Sequence, residues 1–263
     1  MKQNTNAVNY EEVEKRIEVR EQTNEIDTPK GIVDFLEKKN GIFNFDFKNR
    51  YSVTELVNCQ RKSYYKQLGV EQEELLADVT VERMWTTVRG DFLHQMTNAY
   101  KWREMDMEYK VILDDGRKAT VAGRLDMYDW KTKTVMDLKT TKNVKWQIKK
   151  GYIPKLEHIL QVQCYDTMFS SVIPIENLNI VYADMKDIVT YNVKKNDMSD
   201  WIKTRIKNIE NSIIKKSIPN GETSGLCQFC KYQTKCFNDG NGIEHNPLST
   251  PKRKEDRRTS KQG

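Results

Sequence analysis

Gly123-Arg124-Leu125-Asp126-Met127-Tyr128-Asp129, a short connection, and Val135-Met136-Asp137-Leu138-Lys139 form the stretch from which the fold can be read. Val121, Gly123 and Leu125 alternate with polar neighbours, and Val135-Met136 opens a second apolar run, so two consecutive strands are expected. Side chains repeat with period two along a strand, which puts Asp137 and Lys139 on one face and turns Leu138 into the core. If Asp126, at the end of the first strand, closes on that face, two acids and one lysine converge. Such a set can hold a divalent ion and position a water.

Upstream, Ser52-Val53-Thr54-Glu55 has the spacing of a capping box and predicts a helix that carries Cys59, runs to about Gln67 and ends at Gly69. A longer helix is expected over Thr80–Trp102, with Val81, Met84, Trp85, Val88 and Phe92 as its core stripe. Gly90, His94 and Thr97 fall on its other side. Taken alone, His94 reads as an idle exposed histidine or as a ligand pointing into a cleft, with Gly90 leaving room one turn earlier. Tyr109–Leu113 and Lys118–Leu125 read as strands joined through Asp114-Asp115-Gly116, where Asp-Gly suits a tight turn.

Downstream, Lys145, Trp146, Lys149, Lys150 and Tyr152 mix charge with aromatic rings, a pattern shared by solvated loops and single-strand contacts. A helix from Pro154 or Lys155 to about Ser171 is apolar on most sides, and against that background His158, Gln161 and Tyr165 form a polar stripe. Buried polar groups need partners, so the stripe either satisfies neighbouring backbone or faces a cleft. Strands over Leu178–Asp184 and Ile188–Val193 precede an amphipathic helix over Met198–Lys216, with Ile202, Ile206, Ile209 and Ile213 on its stripe. The expected class is α/β (α+β), a central mixed sheet flanked by helices.

The 263 residues are 37% hydrophobic, enough for one core, and no apolar run approaches the roughly 18 residues that a membrane span requires. The polar start is unlike a signal peptide, so the cytoplasm, or a host cell's cytoplasm for a viral protein, is the expected location. The net charge of +6 is uneven, with +4 in residues 252–261 and −2 in residues 1–30. A mildly basic centre is compatible with phosphate backbones without demonstrating that it binds them. Residues 1–48 read as an extension, partly helical or mobile, with a short helix at Ile32–Lys39. Residues 49–238 read as the folded domain and 239–263 as a basic disordered tail.

Five cysteines without a secretion signal argue against a disulfide framework. Cys227, Cys230 and Cys236 have C-x2-C-x5-C spacing, Cys59 is the natural fourth ligand, and Cys164 reads as core. Four thiolates suit a structural zinc or an iron-sulfur cluster, and would clasp the first helix to the C-terminal end.

Taken in order, Cys59, Gly90 to His94, Gly123 to Asp126, Asp137-Leu138-Lys139, Gln161 to Tyr165, and Cys227, Cys230 and Cys236 resemble the iron-sulfur branch of the PD-(D/E)XK nucleases. The RecB-type nucleases and the related CRISPR-associated exonucleases belong to that branch. Gln60 and Thr141 depart from its usual residues without removing a catalytic atom. The resemblance implies a restriction-endonuclease-like core and a metal-dependent deoxyribonuclease, most simply an exonuclease on single-stranded ends. It implies that His94, Asp126, Asp137 and the Leu138 carbonyl ligate Mg²⁺ or Mn²⁺. Lys139 would orient or deprotonate the attacking water, and Gln161 and Tyr165 would position the lysine or the strand. It also implies a 4Fe-4S cluster on the four cysteines, with zinc as the alternative occupant. DNA is the expected partner, along with protein partners in recombination, repair, viral genome processing or CRISPR adaptation. The alternatives are a catalytically silent DNA-binding or adaptation-complex subunit, and a zinc-stabilised nucleic-acid-binding protein.

Overall fold

The computed structural model describes residues 49–72, 81–222, 226–227 and 230–240. The N-terminal extension with its Ile32–Lys39 helix, and the tail beyond residue 240, lie outside the described residues. In chain order the elements are β1 (Arg50–Ser52), α1 (Val53–Leu56), α2 (Gln60–Gln67), and α3 (Val81–His94) with a 3-10 turn at Gln95–Ala99. Next come β2 (Trp102–Ile112), β3 (Lys118–Asp129), β4 (Thr134–Thr140), α4 (Val144–Lys149) and α5 (Leu156–Phe169). β5 (Asn177–Ala183), β6 (Ile188–Val193), α6 (Ser199–Ile214) and α7 (Gln233–Asn238) complete the fold.

The six strands form one mixed sheet in the order β1-β3-β4-β5-β6, with β2 on the far side of β3. β3 has three partners. β2 runs antiparallel along one edge of it, from Trp102↔Tyr128 to Ile112↔Lys118. On the other edge β1 pairs in parallel at Thr120–Ala122 and β4 antiparallel at Met127–Asp129. Gly123–Asp126 therefore lie in a fork, past one neighbour and short of the next.

Helices cover both faces, as expected for a sheet that includes parallel pairs. The larger core lies under α1, α2, α5 and α6 and takes Val121, Leu125, Val135, Ile180 and Tyr182 from the strands. Ile202, Ile206 and Ile209 of α6 are fully buried there, in line with their stripe. The opposite face carries a smaller cluster of Met127, Met136, Leu138, Val181 and Ala183, with Tyr100 against it.

At Gly123 the fork is filled from outside. A Cβ there would meet Tyr165 Cε1 at 3.0 Å, Met168 Cε at 3.1 Å and Val53 Cγ2 at 3.2 Å. Gly123→Ala is therefore expected to lower stability by about 1–2 kcal/mol in urea denaturation, because three buried side chains must yield at once. A variant as stable as the wild type would show that α1 and α5 sit more loosely in the fork.

Several expected boundaries differ. The Ser52 helix is two helices: Ser52 Oγ caps α1 by accepting the Glu55 amide at 3.1 Å, but the chain breaks after Leu56 and restarts with Cys59 as the N-cap of α2. Lys66 draws the Glu55 carboxylate away from the reciprocal half of a capping box. The Thr80–Trp102 helix ends at His94, and Trp102–Met105 belong to β2, where Met105, Met107 and Tyr109 alternate toward the core. Trp85 and Phe92, expected in the core, are 62% and 58% exposed, whereas Leu93 of α3 and Thr97 of the following 3-10 turn are buried and Gly90 faces Thr140 of β4. Pro154 precedes α5 instead of opening it, after a cis bond to Ile153, and the basic segment before it contains the short helix α4, which Lys150 caps. The folded chain also continues past residue 238, since Asp239 accepts a 2.7 Å hydrogen bond from Tyr65 Oη.

Candidate active site in the fork of the sheet

Asp126 stands at the open end of the fork, where the β3–β4 ladder stops at Met127↔Met136. Its Oδ2 accepts the Leu138 amide at 2.8 Å, replacing a ladder bond with a carboxylate. Across that gap, Asp137 is fully buried. Lys139 projects from the same face of β4, with Nζ 3.1 Å from Asp137 Oδ1 and 2.9 Å from Oδ2. Only the Oδ1 contact has hydrogen-bond alignment, so the buried Oδ2 has no directed donor. Burial pushes the Asp137 carboxyl up to about 6; the Lys139 ammonium opposes the shift and Asp126 adds to it.

His94 reaches the fork from the end of α3. Its Nε2 lies 3.5 Å from Asp126 Oδ2 and its Nδ1 lies 3.2 Å from Glu104 Oε1. The hydrogen bond to Asp126 raises its pKa, burial opposes this, and the charges of Asp126 and Glu104 add to it. Gly90 is not needed to make room, since a Cβ there would touch only Thr140 Oγ1 at 3.5 Å, an ordinary contact.

Glu104 is the residue that the linear sequence did not expose. It lies opposite Asp126 in the β2–β3 pairing, and the ladder skips that pair and resumes in unchanged register on both sides. Ala119, Val121 and Leu125 face the larger core, yet beyond Asp126 it is Tyr128 that does so while Met127 faces the smaller one. Both strands thus turn over together at this pair. The turn is possible because Glu104 adopts a left-handed backbone (φ 48°), rare for a side chain of this size. Met105, Met107 and Tyr109 alternate visibly enough to have marked β2, but nothing in one dimension marks the turnover.

α5 forms the wall. Gln161 and Tyr165 are buried one turn apart, and Gln161 Nε2 donates to Tyr165 Oη at 2.9 Å. Burial raises the pKa of Tyr165, and Asp137 and Asp126 push it further, which places the ring within the field of both acids. His158 is occupied elsewhere: its Nδ1 lies 2.7 Å from Tyr182 Oη. Burial, with Lys139 and Lys155 nearby, lowers its pKa to about 3 and keeps it neutral.

The cysteines separate as expected in one respect, since Cys164 is buried core with its thiol pushed up to about 12 by burial alone. None of the five forms a disulfide. Cys59 Sγ accepts the Glu222 amide at 3.4 Å, and Cys236 Sγ accepts Arg61 Nη1 at 3.3 Å. Burial raises the pKa of Cys230, a hydrogen bond from the Tyr232 backbone opposes this, and the nearby Cys59 and Cys227 add to it. Arg61, buried, also donates to the Pro219 carbonyl at 2.8 Å, and the Tyr65 ring meets Tyr232 at 5.6 Å. The C-terminal segment is thereby fastened to α2.

Among the described residues, no three His, Cys, Asp or Glu side chains approach closely enough to chelate an ion as they stand. The donor chemistry nevertheless fits the two groups in question. Two carboxylates, an imidazole and an unsatisfied buried Oδ2 suit a hard divalent cation. Four thiols, three of them receiving N–H donors, suit a soft metal or a cluster.

The mixed sheet thus carries helices on both faces, with two acids and a lysine where its strands part. Residues 53–237 match the PD-(D/E)XK nuclease superfamily, and the chain belongs to it. Among solved structures, SSO0001 is similar in fold, with a TM-score of 0.57 and 20% identity over 79% of this chain and 95% of that one. A phage-related exonuclease from Haemophilus somnus 129PT also matches, with a TM-score of 0.35 and 14% identity over 60% of this chain and 81% of its own. No curated protein matches. No helix among the described residues is long and apolar enough to cross a membrane.

Proposed function

We propose that this nuclease-superfamily protein is a metal-dependent deoxyribonuclease, acting as an exonuclease on single-stranded ends, with a thiolate-bound iron-sulfur clasp. The observation that carries the reading is Asp137, a fully buried carboxylate with one oxygen lacking a directed donor, beside Lys139 and across from Asp126. Burying such a group is unfavourable unless a cation compensates it. Asp126, Asp137, His94 through Nε2, and the Leu138 carbonyl would hold Mg²⁺ or Mn²⁺. When bound, the ion would offset phosphate charge and ease deprotonation of water.

The chain's own groups do the rest. Lys139 Nζ, held by Asp137, orients the attacking water and opposes charge on the phosphate. Tyr165, fixed by Gln161, closes the wall so that lysine and strand keep their places. Glu104 accepts from His94 Nδ1, leaving Nε2 turned toward Asp126. Glu104→Ala is therefore expected to weaken Mn²⁺ binding 10- to 100-fold in calorimetry, and Glu104→Gln to weaken it less. Equal affinities in all three proteins would remove Glu104 from the site.

Exonuclease action is favoured by the family resemblance, as is a 4Fe-4S cluster over zinc in the clasp. Cleavage of 5′- and 3′-labelled single- and double-stranded DNA in Mg²⁺ or Mn²⁺ tests the activity, polarity and strand preference together. Stepwise shortening of single strands is expected. Absence of cleavage, with stable DNA binding, would favour a silent binding subunit.

A further inference from the structure

Two of the largest apolar side chains lie open to solvent just beyond the active site. Trp102, the first residue of β2, is 44% exposed, and Trp130, just after β3, is 53% exposed. Their rings stack with centroids 6.0 Å apart and planes inclined by 28°. Trp130 is braced by the edge of Tyr128, 5.7 Å away at 82°, and Tyr128 is itself tied to the Pro174 carbonyl. The pair is thus pre-organised, with little side-chain entropy left to lose on binding.

Trp102 lies two residues from Glu104, roughly 7 Å along a strand, and Trp130 four from Asp126, three of them within β3 and the last in the turn, at most about 13 Å. That is about two to four stacked nucleotides from the acids. Cations connect the two places. Lys101 and Arg103 line the cleft that His94 and Glu104 also line. The Lys101 ammonium reaches to 6.0 Å from the Trp102 ring, and Lys131 is exposed next to Trp130.

We infer that Trp102 and Trp130 form a base-stacking platform for single-stranded DNA, which Lys101 and Arg103 lead to or from the active-site cleft. The inference rests on the nuclease reading for the identity of the strand, and on its own geometry for the platform. Stacked tryptophans at the end of a ladder can simply close it, but that role does not require both to stay about half exposed beside Lys101, Arg103 and Lys131. A protein partner would favour an apolar rim. Half-exposed rings with Lys101, Arg103 and Lys131 beside them suit a polyanion whose bases are unpaired, and Asp91 and Glu104 of the same cleft offset part of that charge.

The test is a titration with fluorescently labelled d(T)20 in EDTA, followed by anisotropy and tryptophan quenching, so that no cleavage is involved. Trp102→Leu/Trp130→Leu is expected to bind 5- to 100-fold more weakly, and Trp102→Phe/Trp130→Phe to recover most of the affinity. Binding of a blunt 20-bp duplex should change less than twofold. Unchanged d(T)20 affinity in a Leu double variant with wild-type Tm would overturn the platform. If that variant does not fold, photocrosslinking of wild-type protein to an oligonucleotide carrying 5-iodouracil decides the matter. Adducts on Trp102 or Trp130 support the platform, and adducts confined to other residues overturn it. The nuclease reading is judged separately: wild-type protein that quenches and binds d(T)20 but never cuts it in Mg²⁺ or Mn²⁺ would defeat that reading alone.

Discussion

Asp137→Asn abolishes metal-dependent cleavage, by at least about a thousandfold, while the metal-free protein becomes more stable than the wild type near neutral pH. The two halves of this expected result share one cause. Asp137 is fully buried, and burial raises its carboxyl to about 6. A raised carboxyl is neutral in the folded chain at pH values where the unfolded chain has already ionised. Its contribution is therefore fully favourable below the unfolded value near 4 and is lost as pH rises through about 6. At pH 8 the wild type thus carries the full penalty of an ionised buried acid. The amide removes that penalty and gives back part of the gain by depriving Lys139 of its partner, leaving roughly 1–3 kcal/mol in urea denaturation with EDTA. The same linkage predicts that a cation competes with a proton at Asp137, so apparent Mn²⁺ affinity should fall as pH drops below about 6. An Asp137→Asn protein that still cuts, or one less stable than wild type at pH 8, would contradict this account.

Cys230→Ser is expected to lower Tm by roughly 10 °C and to release whatever the four thiols hold. Cys230 lies against the main core and feels Cys59 and Cys227. Centres of this kind contribute directly to folding energy, and a change of several kcal/mol in a domain of this size moves Tm by about 2–4 °C per kcal/mol. The loss should be felt along α2, where Arg61 and Tyr65 meet Cys236 and Asp239. Iron, sulfide and zinc analysis of anaerobically purified wild-type protein identifies the occupant. Iron and sulfide near four per chain match the cluster, whereas zinc near one replaces it by the alternative. A wild type free of both, with a Cys230→Ser Tm within 2 °C, would reduce the clasp to ordinary packing.

Elements whose partners repeat regularly were legible before any fold was known. Ile202, Ile206 and Ile209 recur at helical spacing, and that stripe lies in the core. α3 misled because its most apolar face, with Trp85 and Phe92, is not the one it turns to the sheet. Composition ranks faces by hydrophobicity, whereas packing also ranks them by shape. β2 begins well before Tyr109 for a related reason: Trp102 fits the end of a helix, residues 103–108 mix charges with methionines, and only pairing with β3 commits them to a strand.

At the candidate site the division is sharper. Period two alone determined that Asp137 and Lys139 share a face of β4, because it needs no knowledge of a neighbour. The resemblance implied that Asp126, His94, Gln161 and Tyr165 act as a set, without giving its geometry. Only the tertiary structure decided that β3 exchanges β1 for β4 at Gly123–Asp126, that the fork buries Asp137, and that Glu104 turns left-handed opposite Asp126 to meet His94. These are consequences of which strands lie side by side, and strand pairing is set by contacts far apart in the chain.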